Sequence, residues 1–370
     1  MLAARAYEGE QDLRLEMIDV PAARPGDVVV KVETSAMTNG LLNLWYRGAF
    51  PILPRTLGHE AAGIVVEVGE GVENPAIGDR VRVHSMLSCR QCEYCLTNRE
   101  QFCPQATVLG HAMFGPEALP LHRRYLDGTL AEFVRVPAWA VDIIPPEMSF
   151  DVAAKVHDIA DGVRALDRAK LPPNATIVIT AATGVLGSSI VHLANLFGIG
   201  RIIAVGRSSA RLRLTQALAP NLVETLSLED LGSNWEETGA LTTAIRDRVP
   251  AGPDAVFDFL DQGHGTAQAI SSLKKDGTAI VMAPNATPLF PTATIIRNGW
   301  RIIGSRGCTR ADTHRVLEWV NRGVISIDKL ITHRFALADI ASAVTLVRER
   351  QEPTWMVIVH PNGSSIESAG

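Results

Sequence analysis

The chain has no excess of positive charge: 35 Lys and Arg stand against 40 Asp and Glu, a net charge of -5. That balance speaks against nucleic acid or an anionic membrane as the main partner. With 46% hydrophobic and 20% charged residues it lacks any disordered or coiled-coil bias. Neither an internal repeat nor a low-complexity tract is present. The first ten residues are charged and hold no apolar core of the kind a signal peptide needs, so a cytoplasmic protein is expected. The sequons at Asn174, Asn285 and Asn362 are then chance matches. One stretch, 175–200, has no Asp, Glu, Lys or Arg and is long enough to cross a bilayer. It contains Thr180, Gly184, Gly187, Ser188, His192 and Asn195, however, and it changes period midway, from buried strand at 177–180 to helix at 187–196. No membrane span is expected.

At 370 residues two domains are expected. Up to about residue 145 the text is short Val-rich strands at 28–32, 62–68, 80–84 and 132–136, with turns at Gly69-Glu70-Gly71 and Gly78-Asp79. This predicts an irregular β-barrel or sandwich. After Ser149, placed as a helix N-cap, apolar strands at 177–180, 201–205, 255–260, 279–283 and 302–305 alternate with helical patterns at 209–218, 265–273 and 312–321. Such alternation implies an α/β domain, a parallel sheet wrapped by helices. A helix at 337–349 and a strand at 355–360 close the chain, and 363–370 reads as a frayed tail.

Cysteine is scarce, five residues in all, but four of them form the run Cys89, Cys92, Cys95 and Cys103. Two-residue gaps let thiolates converge on one ion, and four soft ligands suit a closed tetrahedral zinc site. Disulfides between such near neighbours bridge poorly. An iron–sulfur cluster is the rival, because Pro104 follows Cys103, but the long final gap and the lack of a second cysteine set favour zinc. A closed site of this kind folds a loop and does not catalyse. Cys308 stands alone and reads as a small buried residue.

Behind the first strand of the α/β region comes Ala181-Ala182-Thr183-Gly184-Val185-Leu186-Gly187. Small residues between strand and helix let backbone N–H groups at Ala182, Thr183, Gly184, Val185, Leu186 and Gly187 approach a pyrophosphate. Twenty residues on, where an NAD site keeps an acid for the ribose, the chain has Arg207 and Ser208 and no carboxylate. Arg207 can pair with a 2′-phosphate and Ser208 can hydrogen-bond it, so NADP(H) is the expected cofactor.

Gly58-His59-Glu60, Gly78-Asp79-Arg80-Val81, the four-cysteine lobe, Gly128-Thr129-Leu130-Ala131-Glu132-Phe133 and the Ala-Ala-Thr-Gly-Val-Leu-Gly turn, in this order, resemble the medium-chain dehydrogenase/reductase (zinc alcohol dehydrogenase) superfamily. The turn is more similar to the quinone-reductase branch. The resemblance covers nearly the whole chain. It implies a GroES-like β-rich catalytic domain over 1–148 with a structural zinc lobe at 89–103, a Rossmann doubly wound parallel sheet over 149–322, and a segment 323–370 that completes the catalytic domain. A homodimer is implied at the family level.

The departures concern catalysis. The family's first catalytic-zinc ligand, a cysteine, falls on Thr38 or Asn39, and the hydroxyl two residues later is replaced by Gly40 or Leu41. The second ligand corresponds to His59, with Glu60 beside it, and the third falls on His157 or Asp158. A catalytic zinc is left open on these residues. With zinc, the ion would polarise a substrate oxygen; without it, Thr38 or Asn39 would hydrogen-bond that oxygen and His59 or His157 would donate a proton. The expected function is NADP(H)-dependent hydride transfer to or from a carbonyl/alcohol pair, or a polarised C=C or C=N bond, in a small-molecule substrate. The alternatives are a conventional zinc alcohol dehydrogenase with an altered ligand set and a catalytically silent NADPH-binding partner protein. Trp45, Tyr46, Phe50 and the segment 107–125 either shape a substrate pocket or serve as packing.

Overall fold

The computed structural model describes residues 1–283, 286–288, 290–350, 352 and 354–363. Asn285 and positions 364–370 of the expected tail lie outside the described residues. Two compact units emerge, Met1–His157 with Thr309–Gly370, and Asp158–Cys308. No helix among the described residues is long and apolar enough to cross a membrane.

The first unit is built around the strand Asp27–Met37, whose side chains are buried on both faces along most of its length. Its run of β-branched residues suits that position. It pairs antiparallel with Ala61–Val68, Phe133–Pro137 and Met356–His360. Register shifts between Val29 and Val30 and between Val32 and Thr34 mark irregularities of the kind that bend a strand. The sheet continues through Arg80–Val83 to Val141–Ile143 on one side and to Ile331–Ala336 on the other. Strands Ile331–Ala336 and Met356–His360 run parallel, joined through the helix Ile340–Glu349. That helix buries Ile340, Ala343, Val344 and Val347, one face at helical spacing, and each larger side chain contributes about 1.5–3 kcal/mol.

The second unit is a six-stranded parallel sheet. In chain order its strands are Ala175–Ile179, Ile199–Gly206, Val223–Ser227, Ala255–Asp258, Thr278–Val281 and Arg301–Gly304. In space the third lies beside the second, then come the first, fourth, fifth and sixth. This is the doubly wound Rossmann order, with its reversal at the first strand. The fourth strand ends at Asp258, short of the expected 260, where the carboxylate accepts hydrogen bonds from Thr180 at 2.7 Å and Thr266 at 2.8 Å. Ser149 accepts a bond from Val152 N at 3.2 Å at the head of the helix Phe150–Ala169, as its cap position predicts.

Candidate active site and metal centres

The four cysteines of the lobe converge. One ligand atom from each of Cys89, Cys92, Cys95 and Cys103 lies within 4.8 Å of all the others. Sulfur–sulfur distances of 3.9 Å for Cys89–Cys95 and 3.6 Å for Cys92–Cys95 bracket the ~3.8 Å edge of a tetrahedron with zinc–sulfur bonds of about 2.3 Å. All four are free thiols, and Cys103 packs with Met86, Ala106 and Val108. Burial raises Cys89, but backbone N–H donors at Gln91 and Cys92 outweigh it and bring the thiol to about 7. Burial pushes Cys103 up to about 12. The residues fit one zinc ion. Cys308 is fully buried.

A second cluster forms at the ends of strands in the first unit. Ser35 pairs with Ala61, and Ala36 N donates to Glu60 O at 3.0 Å, so the chain leaves this ladder towards Thr38 and Asn39 next to His59-Glu60. Val83 pairs with Ala61, which sets His84 and Ser85 at the same edge. Gly58 holds a φ of +100°, and a Cβ there would meet Leu130 N at 2.9 Å. A Cβ on Gly128 would lie 2.1 Å from Gly58 O. The two motif glycines therefore press backbone on backbone, and this fixes where His59 emerges.

His59, Glu60 and His157 are all buried, and one nitrogen or oxygen from each lies within 4.8 Å of the others. Of the two positions for the third family ligand, His157 joins this cluster and Asp158 follows it in the helix. Glu60 Oε1 is 3.5 Å from His59 Nε2, and Ser85 Oγ is 3.4 Å from His157 Nδ1. The rings of His59 and His111 meet edge-on at 4.7 Å, and those of His59 and His157 at 5.6 Å. Burial holds His111 well below the usual imidazole range, and His59 and Arg55 push the same way. The other Glu60 oxygen pairs with Lys155, both side chains being 1% exposed. Burial alone would raise Glu60, but the Lys155 ammonium, with His59 and His157, holds it well below the usual carboxylate range. Glu60 is thus already charge-paired, and no thiolate stands at Thr38 or Asn39.

Thr38 caps the helix Asn39–Tyr46, its Oγ1 accepting from Leu41 N at 3.4 Å. The cap uses a lone pair and leaves the O–H free to donate. Trp45 is core, 3% exposed, and donates to Tyr7 O at 2.9 Å, while Tyr46 donates to Gln11 O at 3.0 Å. Of the three aromatics, Phe50 packs against His111, at 6.2 Å between ring centroids. Lys155, Ser85 and His111 belong to none of the sequence motifs. Lys155 does leave a signal, as the one charge within Val152-Ala153-Ala154-Lys155-Val156, a stretch too apolar to be a solvated face.

In the second unit, Gly184 begins the helix Val185–Leu193, whose first-turn N–H groups have no intrahelical acceptor. A Cβ on Gly187 would lie 2.6 Å from Ala182 Cα, so only glycine lets the helix come this close to the turn. Ser208 caps the next helix by accepting from Arg211 N at 3.5 Å. Arg207 is exposed beyond the second strand. Arg211, which no sequence motif marks, has Nε and Nη2 buried without a hydrogen-bond partner. Burial lowers its guanidinium, and Arg207 beside it adds to the shift. Two neighbouring arginines, one with unused donors, beside a glycine-tight helix N-terminus fit a dinucleotide with an additional phosphate.

Two family models match the chain: the alcohol dehydrogenase GroES-like domain over residues 24–146 and the zinc-binding dehydrogenase over 185–322. An alcohol dehydrogenase of Geobacillus stearothermophilus is 30% identical over 331 residues, 88% of this chain and 90% of that protein. The structure of a putative zinc-binding dehydrogenase of Sinorhizobium meliloti 1021 bound to NADP superposes with a TM-score of 0.80 at 25% identity, covering 97% of this chain and 99% of that one. An alcohol dehydrogenase structure from Escherichia coli CFT073, complexed with NADH, gives 0.81 at 24% identity, with 97% and 99% coverage.

Proposed function

The chain belongs to the medium-chain dehydrogenase/reductase superfamily of zinc alcohol dehydrogenase type and is an oxidoreductase, and from that premise we propose that it uses NADP(H) to interconvert a carbonyl and an alcohol, or to reduce a polarised C=C or C=N bond. The observation that carries the cofactor choice is Arg207, with Arg211 beside it and no carboxylate at the ribose position. The NADP-bound and NADH-bound structures above are both similar to this chain, so the preference rests on these residues.

The cofactor, when bound, supplies or takes up the hydride. The chain's residues have to hold the nucleotide, orient the substrate and move one proton. Backbone N–H groups of Thr183, Val185, Leu186 and Gly187 take the pyrophosphate, those of Ala182 and Gly184 being already given to Val205 O and Ala181 O at 2.9 Å each. Arg207 and Arg211 take the 2′-phosphate; Ser208 contributes chiefly by fixing the helix that carries Arg211. Thr38 or Asn39 donates a hydrogen bond to the substrate oxygen, and His59 or His157 gives up the proton. Glu60 orients His59, and Ser85 orients His157. The four cysteines hold the structural zinc.

The test is cofactor exchange. The unmodified protein should bind NADPH more tightly than NADH in a fluorescence titration. Arg207→Asp removes a charge-assisted pair worth about 1.5–3 kcal/mol and adds repulsion, so NADPH binding should weaken roughly 10- to 100-fold while NADH gains relatively. Equal affinity of the unmodified protein for the two nucleotides would sink the assignment.

A further inference from the structure

We propose that Lys155 is a built-in cation that takes the place of a metal ion at the His59–Glu60–His157 cluster and keeps divalent ions out of it. The three residues bring two imidazoles and a carboxylate within 4.8 Å of one another, a His2Glu set of the kind that can hold zinc. What distinguishes this cluster is the fourth group. Lys155 lies two residues before His157 on the helix Phe150–Ala169, is 1% exposed, and pairs with Glu60. Its charge and that of Glu60 cancel, and the imidazoles add none when neutral. A divalent ion placed among the same donors would leave two uncompensated positive charges among buried groups, unless Lys155 gave up its proton or withdrew. The missing thiolate at Thr38 or Asn39 points the same way, because the ligand that would have repaid such an ion's charge is absent. Lys155 thus brings to Glu60 the positive charge that a metal ion would otherwise supply.

Removing the ammonium should therefore convert the cluster into a metal site. The purified unmodified protein should contain one zinc per chain, held by the cysteine lobe. It should show no visible absorption from nitrogen- and oxygen-ligated Co2+ when Co2+ is added in excess. Lys155→Met should take up a second ion, read as a stoichiometry near two, a new Co2+ ligand-field band distinct from thiolate charge transfer, and a Tm that rises with added Zn2+. Lys155→Gln, which keeps a polar head, gives the same reading should the methionine variant be too unstable to purify. The double variant Lys155→Met/Glu60→Gln should lose the second ion again. Two zinc ions per unmodified chain, the second lost in His59→Ala, would overturn the proposal, as would a folded Lys155→Met or Lys155→Gln that binds no second ion. Neither nucleotide nor substrate enters these measurements, so their outcome is separate from that of the cofactor exchange.

Discussion

Ala181 sits in the left-handed region, at a φ of +46°, at the start of the turn that leads into the helix Val185–Leu193. An L-residue there is disfavoured by about 1–2 kcal/mol, a cost that glycine does not carry. In the G-x-G-x-x-G spacing that ends on Gly184 and Gly187 the first glycine falls on Ala182, so Ala181 is the residue just before the motif, and the chain holds there a residue that strains the turn. Glycine would relieve the strain but would also enlarge the unfolded ensemble, at about 0.4–1 kcal/mol. Ala181→Gly should therefore raise stability by about 0.5–1 kcal/mol in urea unfolding, with nucleotide affinity retained. A valine, stiff at χ1 and poorly suited to positive φ, should destabilise. If the glycine variant unfolds at lower urea than the parent, the turn is not strained in this way. Gly187 is the opposite case: its missing side chain is what the packing requires, since any Cβ would collide with Ala182.

Among the elements, those with a single strong physical signature are legible in the amino-acid sequence. The helix opened by Ser149, the strands of Val and Ile runs and the small-residue turn all appear where pattern and capping place them, within a few residues. The strand Val223–Ser227 is not legible, because it lies at the edge of its sheet and its two buried apolar residues, Val223 and Leu226, are separated by Glu224, whose carboxylate pairs with Arg201 and Arg248, and by Thr225. At the candidate site, the family resemblance names His59 and Glu60 and narrows the third position to His157 or Asp158, of which the structure brings His157 into the cluster. Neither spacing nor resemblance names Lys155, Ser85 and His111, since their roles depend on how a helix, a strand end and a loop far apart in sequence are brought together. The cysteine lobe is the most self-contained element, as short gaps in sequence are enough to gather its sulfurs. Cys95→Ser should take the metal content from one zinc per chain towards zero and lower Tm by roughly 5 °C or more, given about 2–4 °C per kcal/mol in a unit of this size. NADPH affinity should be unchanged, because the nucleotide residues belong to the compact unit Asp158–Cys308. Iron and labile sulfide in the purified protein, or an unaltered Tm after metal loss, would count against a structural zinc.

At the scale of the whole chain, the first unit is made from two stretches far apart in sequence, and Asp142 is the charge that ties them. Its carboxylate, 5% exposed, receives Arg82 at 3.0 Å from the first stretch, and Arg310 at 2.6 Å and His314 at 2.8 Å from the second. Arg310 also donates to Val141 O at 3.1 Å, so the helix Arg310–Asn321 is fastened to the strand Val141–Ile143 through one side chain. Burial would raise Asp142, but His314, Arg82 and Arg310 together depress it far below the usual carboxylate range. A carboxylate with a depressed folded pKa contributes stability that is fully present above its unfolded value, near 3.9, and is lost as the pH falls towards the folded value. Asp142→Asn leaves Arg82, 1% exposed, without its counter-charge and should cost about 3 kcal/mol at pH 7, the magnitude expected for breaking a buried pair from one side. The gap between parent and variant should hold from pH 7 down to about pH 4. Below that it should narrow by up to about 1.4 kcal/mol per pH unit, as the parent's own carboxylate becomes protonated. Urea unfolding of both proteins across this range reads the difference directly. A variant as stable as the parent at pH 7, or a gap that widens on acidification, would show that the two stretches are held together chiefly by the pairing of Met356–His360 with Asp27–Met37 and not by this charge.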